Sequence, residues 1–150
     1  MICMKKFFLS VVTIVILLAW NSNVYAAENF AVEVLNLVNV ERAKVGIAPL
    51  RLADDLQAAA AIRACEIIKK FSHTRPDGSN CFTVLDNKGH TCGENIAAGH
   101  ATASETVNQW MHSEGHRKNI LNPAFCELGV GLAYEDHSMY RYYWVQLFRG

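Results

Sequence analysis

Three short segments hold the side chains best suited to chemistry. His73 lies in Phe71-Ser72-His73-Thr74-Arg75-Pro76-Asp77-Gly78, and Glu94 in Gly93-Glu94-Asn95-Ile96. His112, Glu114 and His116 fall in Trp110-Met111-His112-Ser113-Glu114-Gly115-His116-Arg117. Two neutral imidazoles and one or two carboxylates converging in a cleft can hold a divalent transition metal such as zinc, with a position open for water or substrate. Without a metal, a histidine beside a glutamate is a general base and its orienter. Residue type alone does not choose between the two. His112 and His116 are four apart, but His-Ser-Glu-Gly-His is not the HExxH zinc motif, and Gly115 is expected to break the helix. Taken singly, His73 and His116 read as ordinary hydrogen-bonding histidines.

Nucleophilic chemistry is less well supported. Ser72 and Ser113 lie near histidines, yet neither sits in a G-x-S-x-G elbow. Beyond the N-terminal segment the cysteines are Cys65, Cys81, Cys92 and Cys126, an even number for an exported chain. No two are in a CxxC spacing, which argues against a zinc-thiolate cluster. Four cysteines allow three pairings. The expected one is Cys81–Cys92, closing a short loop, with Cys65–Cys126 tying a helix to a later segment. With every thiol so paired, a Cys-His enzyme is not expected.

The elements that must position these residues come in two kinds. Apolar residues at helical spacing predict a helix over Asn29–Val45, stopped by Gly46. An alanine-rich stretch predicts a second over Ala53–Lys70. From Phe71 to Gly93 the periodicity fails, and Pro76, Asp77, Gly78, Asn80, Asn87 and Gly89 mark a long loop with one short turn near Phe82–Leu85. Thr102-Ala103-Ser104-Glu105 fits a capping box for a third helix, broken by Gly115, with a short helical turn over His116–Leu121. The tail alternates with period two. Leu128-Gly129-Val130-Gly131-Leu132 predicts a strand with close backbone contacts on its glycine face, and Tyr140–Leu147 a second, aromatic one. Helices first and a hairpin last indicate an α+β fold.

The beginning of the chain has another role. Lys5 and Lys6 precede an apolar run from Phe7 to Trp20, and Val24-Tyr25-Ala26 supplies small residues for signal-peptidase cleavage. Residues 1–26 therefore read as an export signal and 27–150 as one secreted domain. The run is short for a transmembrane helix, and no later segment approaches that length. The 14 Lys and Arg balance 14 Asp and Glu, and two of the lysines fall in the leader. A chain left slightly acidic carries no footprint for nucleic acid.

Five segments in order resemble the bacterial branch of the CAP superfamily, that of cysteine-rich secretory, antigen-five and pathogenesis-related proteins (the SCP domain). They are Phe71–Ser79, Gly93–Ile96, Gly115–Leu121, Leu128–Gly131 and Tyr143–Phe148, with Asn39-Val40-Glu41-Arg42 similar to the family's opening signature. The resemblance spans about Phe30 to Phe148. It implies a three-layer α-β-α sandwich around a small antiparallel sheet and an extracellular life. It also implies a cleft with two histidines and two glutamates that holds zinc or another divalent ion in some relatives.

His73, Glu94 and His116 match three of those positions, with His73 and His116 the metal ligands. The fourth departs: the family's Trp-x-x-Glu register falls on Trp110-Met111-His112-Ser113, and Glu114 comes one residue late. Either Glu114 stands in as the second acid or the cleft has three members. Relatives are variously binders of sterols and other lipids, proteases, and signalling or defence proteins. The implied functions are thus a metal- or small-ligand-binding cleft, a metal-assisted hydrolase of peptide or cell-wall bonds, or a module, expected to be monomeric, that binds lipid or a protein partner.

Overall fold

The computed structural model describes residues 30–150; the export signal read over 1–26 lies outside them. Helix α1 occupies residues 30–44 and stops at Gly46, whose φ of +72° is the left-handed turn that glycine adopts freely. Ala31, Val34 and Val38 form its buried stripe. Two polar side chains on the same helix act as clamps. Asn39 brackets Leu50, donating to its carbonyl at 3.0 Å and accepting its N–H at 2.8 Å. Arg42, fully buried, donates to the carbonyls of Ala48, Ile120, Asn122 and Phe125.

Strand β1 (Arg51–Leu52) leads directly into α2 (Asp54–Lys69), whose first-turn Asp54 and Asp55 suit the positive end of the helix dipole. The long loop follows, with a 3-10 turn over Cys81–Val84. Next come β2 (Cys92–Ala98), α3 (Ala103–Met111), α4 (Glu114–Ile120), β3 (Glu127–Tyr134) and β4 (Tyr142–Arg149). The sheet order is β1-β3-β4-β2. The fold is α+β, with helices on both faces of a small sheet. The sheet is mixed rather than antiparallel throughout, because β1 runs parallel to β3 while β3–β4 and β4–β2 are antiparallel.

Other details differ from expectation as well, among them β2, which begins at Cys92 inside the expected loop. The chain breaks between α3 and α4 at His112–Ser113, where Ser113 takes extended backbone, and Gly115 lies inside α4. Thr102 does cap α3, accepting the Glu105 N–H at 3.2 Å and donating to the Glu105 carboxylate at 2.8 Å. The expected Cys81–Cys92 and Cys65–Cys126 disulfides are not present: all four are free thiols. Chain spacing could not foresee where the elements send these side chains. Cys65 and Cys126 are exposed, whereas Cys81 is buried against the candidate site.

The core lies between α2 and the sheet face made by Ile96, Ala133, Tyr143, Val145 and Leu147. Helix and strand touch almost backbone to backbone. A Cβ on Gly129 would fall 2.2 Å from the Leu56 carbonyl oxygen, and one on Gly131 2.0 Å from that of Ala60. The glycine face of β3 and the alanines of α2 are two halves of one close contact. Gly131→Ala should therefore cost about 3 kcal/mol or more, because the obstacle is main chain. Gly115→Ala, with nothing within 4 Å, should gain about 0.5–1 kcal/mol. Urea midpoints of the two variants check both signs.

Candidate functional site

Arg63 interrupts the apolar stripe of α2 formed by Leu56, Ala59, Ala60, Ala64 and Ile67. Its side chain is 0% exposed and meets a Glu94 side chain 1% exposed, Nε donating to Oε2 at 2.8 Å. A second nitrogen donates to Oε1 at 3.3 Å. The remaining donors reach Glu66 at 2.7 Å and the Ser72 carbonyl at 2.8 Å. Arg75 grips the same Glu66 carboxylate, its closest contact 2.6 Å, so the chain of charges runs Arg75–Glu66–Arg63–Glu94. His73 closes it, its ring Nδ1 donating to Glu94 Oε1 at 2.7 Å.

The loop that carries His73 folds back on itself for local reasons. Asp77 Oδ1 accepts from both the N–H and the hydroxyl of Ser79, and Gly78 takes φ +89°. Arg75 and Ser79 then pair, Thr74 bridges Asn80, and Cys81 N–H donates to the His73 carbonyl at 3.0 Å. This returns Cys81 beside His73.

On the opposite face of β2, Asn95 is fully buried and donates to the His116 carbonyl at 3.1 Å and to Gln146 at 3.0 Å. Asn119 of α4 donates to Asn95 at 2.8 Å and to the Glu94 carbonyl at 3.2 Å. Adjacent residues of one edge strand thus secure the two histidines, Glu94 by a ring nitrogen and Asn95 by a backbone carbonyl. Buried His116 Nδ1 has no hydrogen-bond partner among the described residues. Glu114 is exposed at the start of α4. The potential ligand set among the described residues includes Cys81 instead: a His73 ring nitrogen, Cys81 Sγ and a Glu94 oxygen lie within 4.8 Å of one another.

Burial works against the Glu94 carboxylate, but hydrogen bonds from His73 and Arg63 outweigh it and hold the group below the ordinary carboxyl range. Arg75, then Arg63, do the same for Glu66. Burial, with the nearby charge of His73, lowers His116, favouring the neutral imidazole a metal requires. Burial and Glu94 push the Cys81 thiol up to about 12.

Of the expected residues, the structure joins His73 to Glu94 and anchors His116 on the other side of the same strand. Arg63, Asn95 and Cys81 belong to the site although the motifs did not assign them there. The available sign was a charged residue within the apolar stripe of α2.

Comparison with known proteins decides the family. The sequence profile of the CAP family, cysteine-rich secretory proteins, matches residues 35–148. The chain belongs to this family. YkwD of Bacillus subtilis (strain 168) is 41% identical over 123 residues, covering 79% of this chain and 46% of that protein. The membrane protein YlbC of the same organism is 36% identical over 107 residues, covering 67% and 30%. This CAP chain therefore spans less than half the length of those curated relatives. An extracellular SCP-domain protein of Bacillus anthracis superposes with TM-score 0.70 at 28% identity, covering 82% of this chain and 41% of that one. An outer surface protein of Borrelia burgdorferi shares the fold, with TM-score 0.66 at 20% identity over 76% and 86%. The described residues contain no helix long and apolar enough to cross a membrane.

The carboxylates of the CAP site set an acid limit. Their folded pKa values lie below the unfolded value of about 4.3. Their contribution is complete above that pH and is lost as pH falls through the lower folded values. Glu66→Gln should lower stability at neutral pH by on the order of 2 kcal/mol and flatten the acid limb. Urea unfolding across the acid range measures both.

Proposed function

We propose that this chain is an exported CAP domain whose cleft at His73, Glu94 and His116 binds a divalent metal ion, with zinc the reference case. The observation that supports it is the 2.7 Å hydrogen bond from His73 Nδ1 to a Glu94 carboxylate already fixed by Arg63. A carboxylate behind an imidazole sets its tautomer and ring orientation and strengthens the other nitrogen as a ligand. The His73 side chain is 57% exposed, so that nitrogen is reachable from solvent. The lowered pKa and unpartnered Nδ1 of His116 suit a second neutral donor. A bound divalent ion would supply Lewis acidity and a more acidic coordinated water. Export rests on the leader-like residues 1–26 and on the extracellular or surface character of structural relatives.

A second reading, binding of lipid or another apolar ligand, draws on the rim beside the cleft. Phe71, two residues before His73, stands 6.4 Å from Tyr140, which contacts Tyr143 edge-on at 6.3 Å. Phe71, Met139 and Tyr140 are all exposed.

Calorimetric titration of the mature protein with zinc tests the metal reading. Saturable heat is expected, with affinity reduced at least about tenfold in His73→Ala and in His116→Ala. Absence of heat in the wild type, or equal heat in the double variant, overturns it.

A further inference from the structure

The family's second glutamate has no counterpart at its register, where Ser113 stands, and Glu114 is exposed. The structure places a different side chain beside the His73–Glu94 pair. We propose that Cys81 supplies the missing ligand, so that a metal at this site is held by nitrogen and sulfur and the site favours thiophilic ions such as zinc or cobalt over magnesium or calcium. This rests on the reading that the cleft takes a metal.

Three features carry the assignment. The His73 nitrogen and Cys81 Sγ lie within 4.8 Å of each other, against the roughly 3.3–3.6 Å that tetrahedral zinc imposes on neighbouring ligands, so small shifts of these two side chains bring both onto one ion while Glu94, fixed by Arg63, stays behind the imidazole. The backbone supports the placement, since Cys81 N–H donates to the His73 carbonyl and the Asp77–Ser79 turn fixes the return of the loop. Cys81 is also a free thiol, 2% exposed, whose sulfur makes a weak 3.7 Å contact to Asn80 Oδ1 and faces the Glu94 carboxylate, so it is turned toward the site rather than toward a disulfide partner. As sulfur coordinates, its proton passes to solvent and the thiolate becomes the ligand.

The same three residue types also resemble a Cys-His-acid nucleophile. The environment argues otherwise. An activated cysteine is accessible with its thiolate favoured, whereas Cys81 is enclosed and its neighbour Glu94 is anionic. A dication relieves that repulsion, while an approaching electrophilic carbon does not. Soft sulfur further selects zinc-like ions over those preferring oxygen.

Cobalt(II) titration of the mature protein, followed by absorption, separates this inference from the reading beneath it. Ligand-field bands report tetrahedral binding, and a near-ultraviolet charge-transfer band reports a cobalt–thiolate bond. The wild type should show both. Cys81→Ser should lose the charge-transfer band and bind at least about tenfold more weakly. His73→Ala, at an exposed side chain that leaves the core intact, should weaken both bands. Ligand-field bands without charge transfer would overturn the Cys81 assignment and leave the metal cleft standing. No cobalt or zinc binding at all would overturn both. A thiol titration of the purified secreted protein showing Cys81 oxidised in a disulfide would overturn the assignment alone.

Discussion

The buried pair of Arg63 and Glu94 is the constraint to which the rest of the site answers. A guanidinium and a carboxylate taken out of water lose hydration worth several kcal/mol each, and their mutual attraction offsets this only when the remaining hydrogen-bonding positions are filled. Here they are filled: Arg63 also reaches Glu66 and the Ser72 carbonyl, and Glu94 accepts from His73. Each partner lies on a different element. Meeting the electrostatic requirement therefore fixes α2 against β2 and dictates where the chain leaves α2. The direction of His73 follows from that exit.

Strand β2 works in two directions. Successive residues of a strand point to opposite faces, so Glu94 enters the α2 layer while Asn95 enters the layer of α3 and α4. There Asn95 holds the His116 carbonyl and, through Asn119 and Gln146, joins α4 to β4. Gly93 precedes them because a Cβ there would press 2.9 Å from the ring of Phe125. The Gly-Glu-Asn sequence thus combines a packing requirement with two opposite polar anchors. Clamps by Arg42 and Asn39 complete the frame by tying α1 to the end of α4 and to Leu50.

Much of this was legible in the sequence where one side chain carried one meaning. The alanine-rich run of α2, the capping Thr102, and Gly129 and Gly131 as packing residues follow from local chemistry, and the structure repeats them. Strand β2 was hidden, because Cys92-Gly93-Glu94-Asn95 has the composition of a loop. Its polar residues are buried for the site rather than exposed for solubility. Strand β1 is two residues long and has no period to read. The cysteines are a related case: an even count suggests bridges, whereas in the structure the four stand as free thiols, with Cys81 placed toward Glu94 and Cys65 and Cys126 facing solvent. Arg63 could have been noticed as a charge within an apolar stripe, but its partner lies far along the chain, on a strand the sequence did not reveal.

The architecture also determines which residues can separate function from folding. Replacing Glu94 would leave Arg63 buried without its main counter-charge, a change that typically costs about 3–5 kcal/mol, so any loss of binding would be entangled with loss of structure. His73 stands at the other end of the same network with more than half its side chain in solvent. Removing its imidazole leaves Arg63 and Glu94 paired and the core unchanged. The network is therefore most enclosed at its centre, the Arg63–Glu94 pair, and most open at His73. Of the members of this polar chain, His73 is the most open to water, with Arg75 and Glu66 at the opposite end only 19% and 17% exposed.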